Sequence, residues 1–408
     1  MAALSFVYNG GNSLIELGST KFILTKTFAD LSNPGFSSFL DLTRWVAAVV
    51  VFLGHLRNPL FLGYGDLPEA DINLFVQFWY FITGWYGEAV IVFFVLSGYL
   101  VGGVSLAKYS MGQFDFLHYW IDRCSRLYVA FLPAVLLTLV LDVSGSVLLG
   151  GAGLYDGSQK MVLQKLGSLA VFEENLNSGQ FFGTLLMLQN FRVESFGSNS
   201  PLWTISSEFW FYAFFGIALV CLTRGKRSIG LALLLVAIIL LLGPKFFGLL
   251  GLWLIGAAIS LVPSGRIAWR LFYVCFFFFL LVLIRIFSAE LDHFPYFFEL
   301  RNYAVALSFA LLLHSMRDVR SPILEWGKKF NKALADFSFS LYLIHFPLMI
   351  FLLSAFYSSG MFPGIRNGYS PMDRSGLGLY IVVIAMTLAI AWVFAQFTEK
   401  KTHLLRKW

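Results

Sequence analysis

The chain has 408 residues, of which 58% are hydrophobic, 18% are aromatic and only 13% are charged. Such a composition excludes an ordinary soluble domain and is typical of a membrane protein with several spans. The formal net charge of +6 would favour a nucleic-acid partner in a soluble protein, but basic residues of membrane proteins collect in cytoplasmic loops. We therefore expect no nucleic-acid partner.

Apolar segments long enough to cross a bilayer recur along the chain. They lie near residues 38–57, 77–104, 127–148, 207–223, 228–243, 246–262, 268–288, 300–316, 334–356 and 377–398. They predict an all-α fold, a polytopic helical bundle of about ten transmembrane helices with both termini on one side. Nineteen of the 29 Lys and Arg residues fall on the side of the N-terminus and eight on the other. By the positive-inside rule both termini are then cytoplasmic, an N-in/C-in topology.

The predicted organisation is a cytoplasmic leader at 1–37, a transmembrane domain at 38–401 and a basic cytoplasmic tail at 402–408. The leader lacks the basic start, apolar core and small-residue cleavage site of a signal peptide. Cys124, Cys221 and Cys275 occur singly, so neither a disulfide framework nor a metal site is expected.

The first span carries two polar residues that lipid would not tolerate, Arg44 and His55. They are eleven residues apart, which returns within about 20° of the same helix face, roughly 16 Å further along the axis. A charged arginine in the hydrocarbon costs roughly 2.5–3.5 kcal/mol, so this face is expected to look into the protein or into water. The alternative is that both residues are only anchors at the two ends of the span.

Two carboxylates mark further candidate positions. Glu88 lies near the outer end of the second span, and Glu208 lies where the fourth span enters the membrane. A carboxylate there is costly unless it is paired or hydrated. Glu208 either belongs to a site, orienting an imidazole or a sugar hydroxyl, or forms a structural ion pair with Arg44 or Arg285.

Basic side chains on the inner side form a possible phosphate site. Arg123 and Arg126 are three residues apart in an aromatic and charged stretch, 114–128, that is expected to be an interfacial helix. They share a helix face and could hold a phosphate, although inside-positive anchoring explains them equally well. His345 lies within the ninth span and is a secondary candidate, because a lone histidine on an apolar helix is usually an interior residue with satisfied hydrogen bonds.

Several motifs are missing from the sequence. It contains no G-x-x-x-x-G-K-[ST] phosphate loop, no G-x-S-x-G elbow, no zinc-like His/Cys array and no c-type haem motif. ATP hydrolysis, a serine triad and bound redox metals are therefore not expected. No internal repeat is visible, which counts against a secondary transporter.

Taken together, these segments resemble the membrane-bound acyltransferase-3 family over about residues 38–401. The resemblance rests on an ordered set of blocks: Arg44 and His55 after Leu-Asp, Phe93–Tyr99, Arg123-x-x-Arg126-Leu-Tyr, Trp203-x-x-Ser206-x-Glu208-Phe-x-Phe-Tyr212, Ser340-Leu-Tyr342-Leu-x-His345-x-Pro347, and Glu399-Lys400. Two features depart from the family pattern. Ala89 stands where many members have glycine, and the fused extracellular hydrolase-like domain of some members is missing, so a transfer partner of that kind would be a separate protein.

The resemblance implies a membrane O-acyltransferase that uses acetyl-CoA or another acyl-CoA as donor and needs no metal. Its expected partners are acyl-CoA, a carbohydrate or glycolipid acceptor and membrane lipids, and its expected location is the bacterial inner membrane. His55 is the expected general base, because an imidazole with a pKa near about 6.5 both takes and returns a proton at neutral pH. The other implied site residues are Arg44 and Glu208 as catalytic groups, Arg44, Arg123 and Arg126 for the donor, and Glu88, Trp203, Tyr342 and His345 for the substrate.

Two other classes of function stay open at the level of sequence. A transporter or flippase for a lipid-linked sugar would use Arg44, Glu208 and His55 as a polar pathway and would not change covalent structure. A non-catalytic member of an envelope assembly would leave the shared face of Arg44 and His55 without a role. Consumption of labelled acetyl-CoA separates the enzyme from both.

Overall fold

The computed structural model describes residues 30–150, 154–155, 172–224, 229–263, 269–291 and 296–402, so almost all of the predicted leader and tail lie outside the described residues. Within these ranges the chain is helical apart from loops and two isolated β-bridges. The helices are α1 (Pro34–Leu60), α2 (Leu74–Ile82), α3 (Tyr86–Ser97), α4 (Val104–Ser110), α5 (Phe116–Leu149), α6 (Ser178–Leu185), α7 (Trp203–Arg224), α8 (Ile229–Leu242), α9 (Pro244–Ile259), α10 (Arg270–Leu291), α11 (Phe297–Met316), α12 (Pro322–Trp326), α13 (Lys328–Ser358) and α14 (Arg374–Phe397).

The helices confirm an integral membrane protein with an all-α fold. Seven helical stretches are long and apolar enough to cross a membrane, and the number is eight if α8 and α9, which meet at a bend of 112°, form one span. Two of the ten predicted spans are the arms of this bent pair. A third corresponds to α11, which is not among the seven and carries Glu299 and Arg301 in its first two turns. The count of ten and the N-in/C-in orientation stay predictions.

The stretch 114–128 is not a separate interfacial helix. It forms the first part of α5, which runs without a break for 34 residues. Asp115 caps the start of α5, accepting a hydrogen bond of 2.8 Å from the backbone N–H of His118. Arg123 and Arg126 therefore stand on the same rigid helix as the membrane-embedded residues that follow them.

The helices α1 and α13 pack along each other and carry the two candidate histidines. α1 starts behind the capping residue Asn33, with a proline at its first position. Near this end, Trp45 Nε1 donates to Asn331 Oδ1 (3.1 Å) and Asn331 Nδ2 donates to Ser38 Oγ (3.0 Å). These bonds satisfy polar groups in an apolar interface and fix the register of α1 against α13.

The helices α3 and α9 cross with their backbones in contact. A Cβ atom on Gly98 would meet the carbonyl oxygen of Trp253, and one on Gly256 would meet the carbonyl oxygen of Val95. Only glycine permits this approach, in the way that small residues let transmembrane helices pack closely. A π-helical stretch, Gly98–Gly103, continues α3 from this point.

The segment that leads into α7 is fastened to α5 inside the bundle. Asp142, which is fully buried on α5, accepts hydrogen bonds from the backbone N–H (2.7 Å) and Oγ (2.8 Å) of Ser198. Asn199 Nδ2 donates to Thr138 Oγ1, one turn earlier on α5, at 2.9 Å. This clamp determines where α7 starts.

Replacing Asp142 by alanine is expected to weaken the clamp, because it leaves both polar groups of Ser198 buried without an acceptor. The expected loss is about 1–3 kcal/mol of unfolding free energy, seen as a lower Tm in detergent and faster proteolysis between residues 178 and 200. Glu194→Gln changes an exposed carboxylate of the same segment and should alter neither measurement. Equal stability of Asp142→Ala and wild type would contradict the clamp.

Candidate active site

The two candidate histidines form a hydrogen-bonded pair. His55 Nδ1 lies 2.9 Å from His345 Nε2, and the other nitrogen of His345, Nδ1, lies 2.8 Å from the carbonyl oxygen of Tyr342 and 3.2 Å from that of Leu341. Carbonyl oxygens only accept, so the hydrogen of neutral His345 is on Nδ1 and its lone pair is on Nε2. His345 therefore accepts from Nδ1–H of His55, and the lone pair of neutral His55 is on its Nε2.

The surroundings of this pair are aromatic. The ring centroid of His55 lies 5.4 Å from those of Tyr86 and Phe346, and His345 is fully buried while His55 is partly exposed. His55 Nε2 has no hydrogen-bond partner among the described residues. The pair thus presents one partly exposed imidazole nitrogen, held by packing and ready to accept a proton.

The position of His345 depends on Pro347 and on the clamp. Pro347 has no backbone N–H, so the carbonyl of Leu343, four residues earlier, lacks its helical partner. Asn199 Nδ2 donates to that carbonyl at 2.9 Å. The side-chain amide of Asn199, in the segment before α7, therefore bonds to both α5 and α13. Its acceptor on α13, the carbonyl of Leu343, is two residues before His345.

A cavity of about 100 Å³ lies between α1, α3, α5, α7 and α13; we call it the central cavity. Tyr342 lines it, and the ring of Tyr342 lies 5.8 Å from that of His345, so the histidine pair adjoins its wall. The cavity combines an apolar interior with charged ends. Its polar lining consists of Arg44, Ser97, Arg126, Thr204, Glu208, Tyr212, Ser338 and Tyr342.

A chain of hydrogen bonds ends on Glu208. Trp253 Nε1 donates to Ser97 Oγ (3.1 Å), Ser97 Oγ is 2.9 Å from Tyr212 Oη, and Tyr212 Oη donates to Glu208 Oε2 (2.9 Å). Because Tyr212 gives its only hydrogen to Glu208, Ser97 must be the donor in the middle bond. Three helices thus align their donors towards one carboxylate in the central cavity.

Three arginines near the central cavity have few partners. Arg44 makes one ion pair, with Asp41 at 3.7 Å. Arg126 makes no hydrogen bond or salt bridge with any described residue, and Arg123 Nε is buried without a partner. Arg44 and Arg123 are half-buried and Arg126 is exposed. Guanidinium groups with unused N–H donors suit an anionic ligand.

Two carboxylates lie near these arginines. Glu399 accepts hydrogen bonds from the backbone N–H (3.2 Å) and Oγ (3.1 Å) of Ser340 and interacts electrostatically with Arg44 and Arg126. Glu208 interacts electrostatically with Arg126 and with the neighbouring arginine on α5. We call this end of the bundle the Glu399 end, and the opposite end, where α1 finishes, the His55 end.

A second cavity of about 340 Å³ adjoins the first at the Glu399 end, where both share Leu100 and Val101. It lies between α4 with the π-helical stretch before it and the start of α5. The charged and titratable residues of its lining are Lys108, Asp115, His118, Tyr119, Asp122 and Arg123. The two cavities thus adjoin each other, and Tyr342 in the lining of the central cavity lies beside His345.

One predicted role, the orientation of the His55 imidazole by Glu208, needs correction against this geometry. Glu208 bonds to Tyr212 and not to His55, whose imidazole is oriented by His345. Arg44 lines the central cavity, whereas His55 does not. His345, a secondary candidate in the sequence, is therefore the hydrogen-bond partner of the candidate base.

The predicted substrate residues fall at different places. Tyr342 lines the central cavity and hydrogen-bonds to Thr204 at 2.9 Å. The ring of Trp203 lies 6.0 Å from that of Phe94, which lines the cavity, so Trp203 supports it from behind. Glu88 lies elsewhere, in an apolar groove on the side of the bundle. Among the described residues no three His, Cys, Asp or Glu side chains gather as metal ligands.

Comparison with known proteins identifies the family of this membrane bundle. The acyltransferase domain of the acyltransferase-3 family matches residues 37–396, so the chain belongs to that family. A protein of Shigella phage Sf6 named O-acetyl transferase is 27% identical over 205 residues, which are 50% of this chain and 53% of that protein. The chain thus spans about half the length of this relative. No solved structure matches.

Proposed function

We propose that the protein is a membrane O-acyltransferase that moves an acyl group, acetyl in the simplest case, from cytoplasmic acyl-CoA to a hydroxyl of an envelope or exported glycan or glycolipid. The observation that carries the proposal is the bond between His55 and His345, which leaves the lone pair of His55 on Nε2. A thioester is already activated, so transfer needs chiefly a base for the hydroxyl proton.

In the proposed reaction, His55 Nε2 takes the proton of the acceptor hydroxyl as the hydroxyl oxygen attacks the thioester carbon. The new C–O bond forms, the C–S bond breaks, and sulfur leaves with the electron pair and receives the proton from His55. Between these steps the imidazolium of His55 donates Nδ1–H to His345 Nε2, the bond that already exists at 2.9 Å. The pair thus keeps the base in one orientation throughout.

The arginines are the proposed donor site. Arg123 and Arg126 supply unused N–H groups where the two cavities meet, and these groups suit the phosphates of CoA. Arg44 lies eleven residues before His55, roughly 16 Å along α1. It is thus suited to bind a part of the donor that is remote from the reacting carbon. Glu208 contributes to the polar lining of the central cavity.

The charge of the Glu399 end supports entry of the donor from the cytoplasm. Lys328 and Lys329 start α13, and Lys400 and Lys401 follow α14 at the same end. Basic residues next to spans are retained in the cytoplasm. We therefore propose that this end faces the cytoplasm, that the acceptor arrives at the His55 end, and that the membrane is the bacterial inner membrane.

The decisive experiment measures transfer of labelled acetyl from acetyl-CoA to envelope glycan in membranes that contain the protein. Label in the glycan only when the protein is present is the expected result. If labelled lipid-linked sugar crosses the membrane while acetyl-CoA is not consumed, the protein is a transporter and the proposal fails. Succinyl-CoA and a longer acyl-CoA, tested in parallel, define the acyl group.

Neutralising the arginines of the donor site should weaken the binding of acyl-CoA and leave the rate of the chemical step nearly unchanged. Arg123→Gln and Arg126→Gln are each expected to raise KM for acyl-CoA about tenfold, because a charge-assisted hydrogen bond contributes about 1.5–3 kcal/mol, with little change in kcat. Arg320→Gln, an exposed arginine after α11, is the matched control and should leave KM unchanged. Unaltered donor affinity in both α5 variants would remove the arginines from the donor site.

A further inference from the structure

An apolar groove runs along the side of the bundle between α1, α3, α10 and α11. It has a volume of about 460 Å³, and Thr43 and Glu88 are its only polar lining residues. Its wall includes Val46, which is 37% exposed, and Phe278, which is 57% exposed, so the groove opens sideways. In a membrane this lateral groove faces the hydrocarbon and fits an alkyl chain.

Two arginines continue the groove at the His55 end. On α1 the groove residues include Val46 and Val50, and Arg57 lies seven residues after Val50, two turns further on the same face. On α10 the groove residues include Leu281, and Arg285 lies one turn beyond it. The apolar stripe of each helix therefore ends in a guanidinium group.

The two guanidinium groups converge. Arg57 Nη1 and Arg285 Nη2 lie 3.5 Å and 3.4 Å from the same oxygen, the carbonyl of Tyr80. Arg57 also reaches Thr83 Oγ1 (3.3 Å), and it forms no salt bridge with a carboxylate in the described ranges. A phosphate at this place would accept charge-assisted hydrogen bonds from both guanidinium groups.

This arginine pair lies close to the candidate base. Tyr86, which begins α3, packs its ring 5.4 Å from the ring of His55, and Arg57 Nη1 donates to Thr83 Oγ1, three residues before Tyr86. A Cβ atom on Gly54 would touch Tyr86 and the carbonyl of Thr83, so Tyr86 packs directly against α1. The segment from Thr83 to Tyr86 thus contacts both the arginine pair and the candidate base.

We propose that the lateral groove and the pair Arg57–Arg285 bind the acyl acceptor, a lipid whose chain is joined through phosphate to a hydroxylated, sugar-like head. The chain lies in the groove, the phosphate lies between the two guanidinium groups, and the head reaches His55. This inference rests on the proposed function, and it specifies the acceptor as a lipid-linked compound rather than a free glycan. A bulk phospholipid would use the same groove without presenting a sugar to the base.

Binding to the purified full-length protein in detergent tests the proposal without the acyl donor. The probe is hexadecyl-phospho-glucose, compared with hexadecyl glucoside, which lacks the phosphate, and with glucose phosphate, which lacks the chain. We expect the complete probe to bind at least about tenfold more tightly than either fragment. Hexadecyl glucoside loses the charge-assisted hydrogen bonds, and glucose phosphate loses the buried apolar area. Equal binding of the probe and either fragment would overturn the proposal.

Variants locate the site. Arg57→Gln and Arg285→Gln should each remove the preference for the phosphate-containing probe, whereas Arg366→Gln, an exposed arginine of the loop before α14, should keep it. Val46→Trp fills the groove and should weaken the probe about tenfold, whereas Ile381→Trp, on an exposed face of α14, should not. Phosphatidylglycerol that displaces the probe at equal concentration would assign the groove to bulk lipid and reject the acceptor.

Failure of this proposal is distinguishable from failure of the proposed function. His55→Ala should bind the probe as wild type does, because binding requires no base. Acetyl transfer to a soluble glycan without probe binding would leave the enzyme intact and reject the lipid acceptor. Probe binding with no transfer from any acyl-CoA to any acceptor would reject the proposed reaction and with it the assignment of the bound lipid as acceptor.

Discussion

Replacing His55 by alanine is expected to lower acyl transfer by about 10²- to 10⁴-fold, the usual contribution of a general base. The protein should still insert and fold, because the ring of His55 is partly exposed and only one hydrogen bond is lost. Wild-type activity should fall on acidification, since a protonated imidazole has no lone pair. The residual activity of His55→Ala should lack this acid limb.

The measurement is kcat against pH with labelled acetyl-CoA, normalised to protein abundance in the membrane. His314→Gln alters the other half-buried histidine of the described helices, on α11, and serves as the matched control with unchanged kcat. An unaltered rate or an unaltered acid limb in His55→Ala would remove this residue from the reaction. The chemistry would then have to be sought at Glu208.

Replacing His345 should show that it orients the imidazole of His55 and does not itself take the proton. His345→Ala deletes the acceptor for Nδ1–H of His55 and frees the imidazole to turn and to change tautomer, so kcat is expected to fall about 10- to 10²-fold. KM for acyl-CoA should stay near its wild-type value, because the proposed donor site is elsewhere. His345→Gln offers a carbonyl oxygen that can accept the same bond and should recover part of the loss.

A purely structural role predicts a different pattern. If His345 only fills space, Gln and Ala should behave according to volume and stability, and the pH profile of the residual activity should match that of wild type. Comparing Tm, kcat and the pH profile of the two variants decides between these outcomes. Recovery by Gln at equal Tm is the signature of the tautomer that His345 enforces.

The sequence predicts the class of the molecule well, because composition and long apolar segments follow directly from the hydrocarbon thickness. It also selects Arg44 and His55, since polar groups in a span are costly and eleven residues nearly complete three turns. It predicts two straight spans where α8 and α9 form a bent pair, although Gly243 followed by a proline, with φ of +73° at the glycine, is a local signal for a break.

The partners of the polar residues are not accessible from the sequence. His55 and His345 are 290 residues apart, and Ser97 and Trp253 are 156 apart. Their pairing depends on how several helices cross, which hydrophobic periodicity does not encode. The histidine two residues before Pro347 is visible in the sequence. Its hydrogen bond to His55 becomes apparent only when α1 is placed beside α13.

The contact of α3 with α9 has a consequence for biogenesis. Gly98 and Gly256 let the two backbones touch, and only then does Trp253 reach Ser97 and complete the bonds that end on Glu208. α9 follows α7 in the chain, so Glu208 on α7 has the complete set of these hydrogen bonds only when the later helix docks. Completion of the central cavity therefore depends on helices from the second half of the chain, α9 behind its polar wall and α13 in its lining.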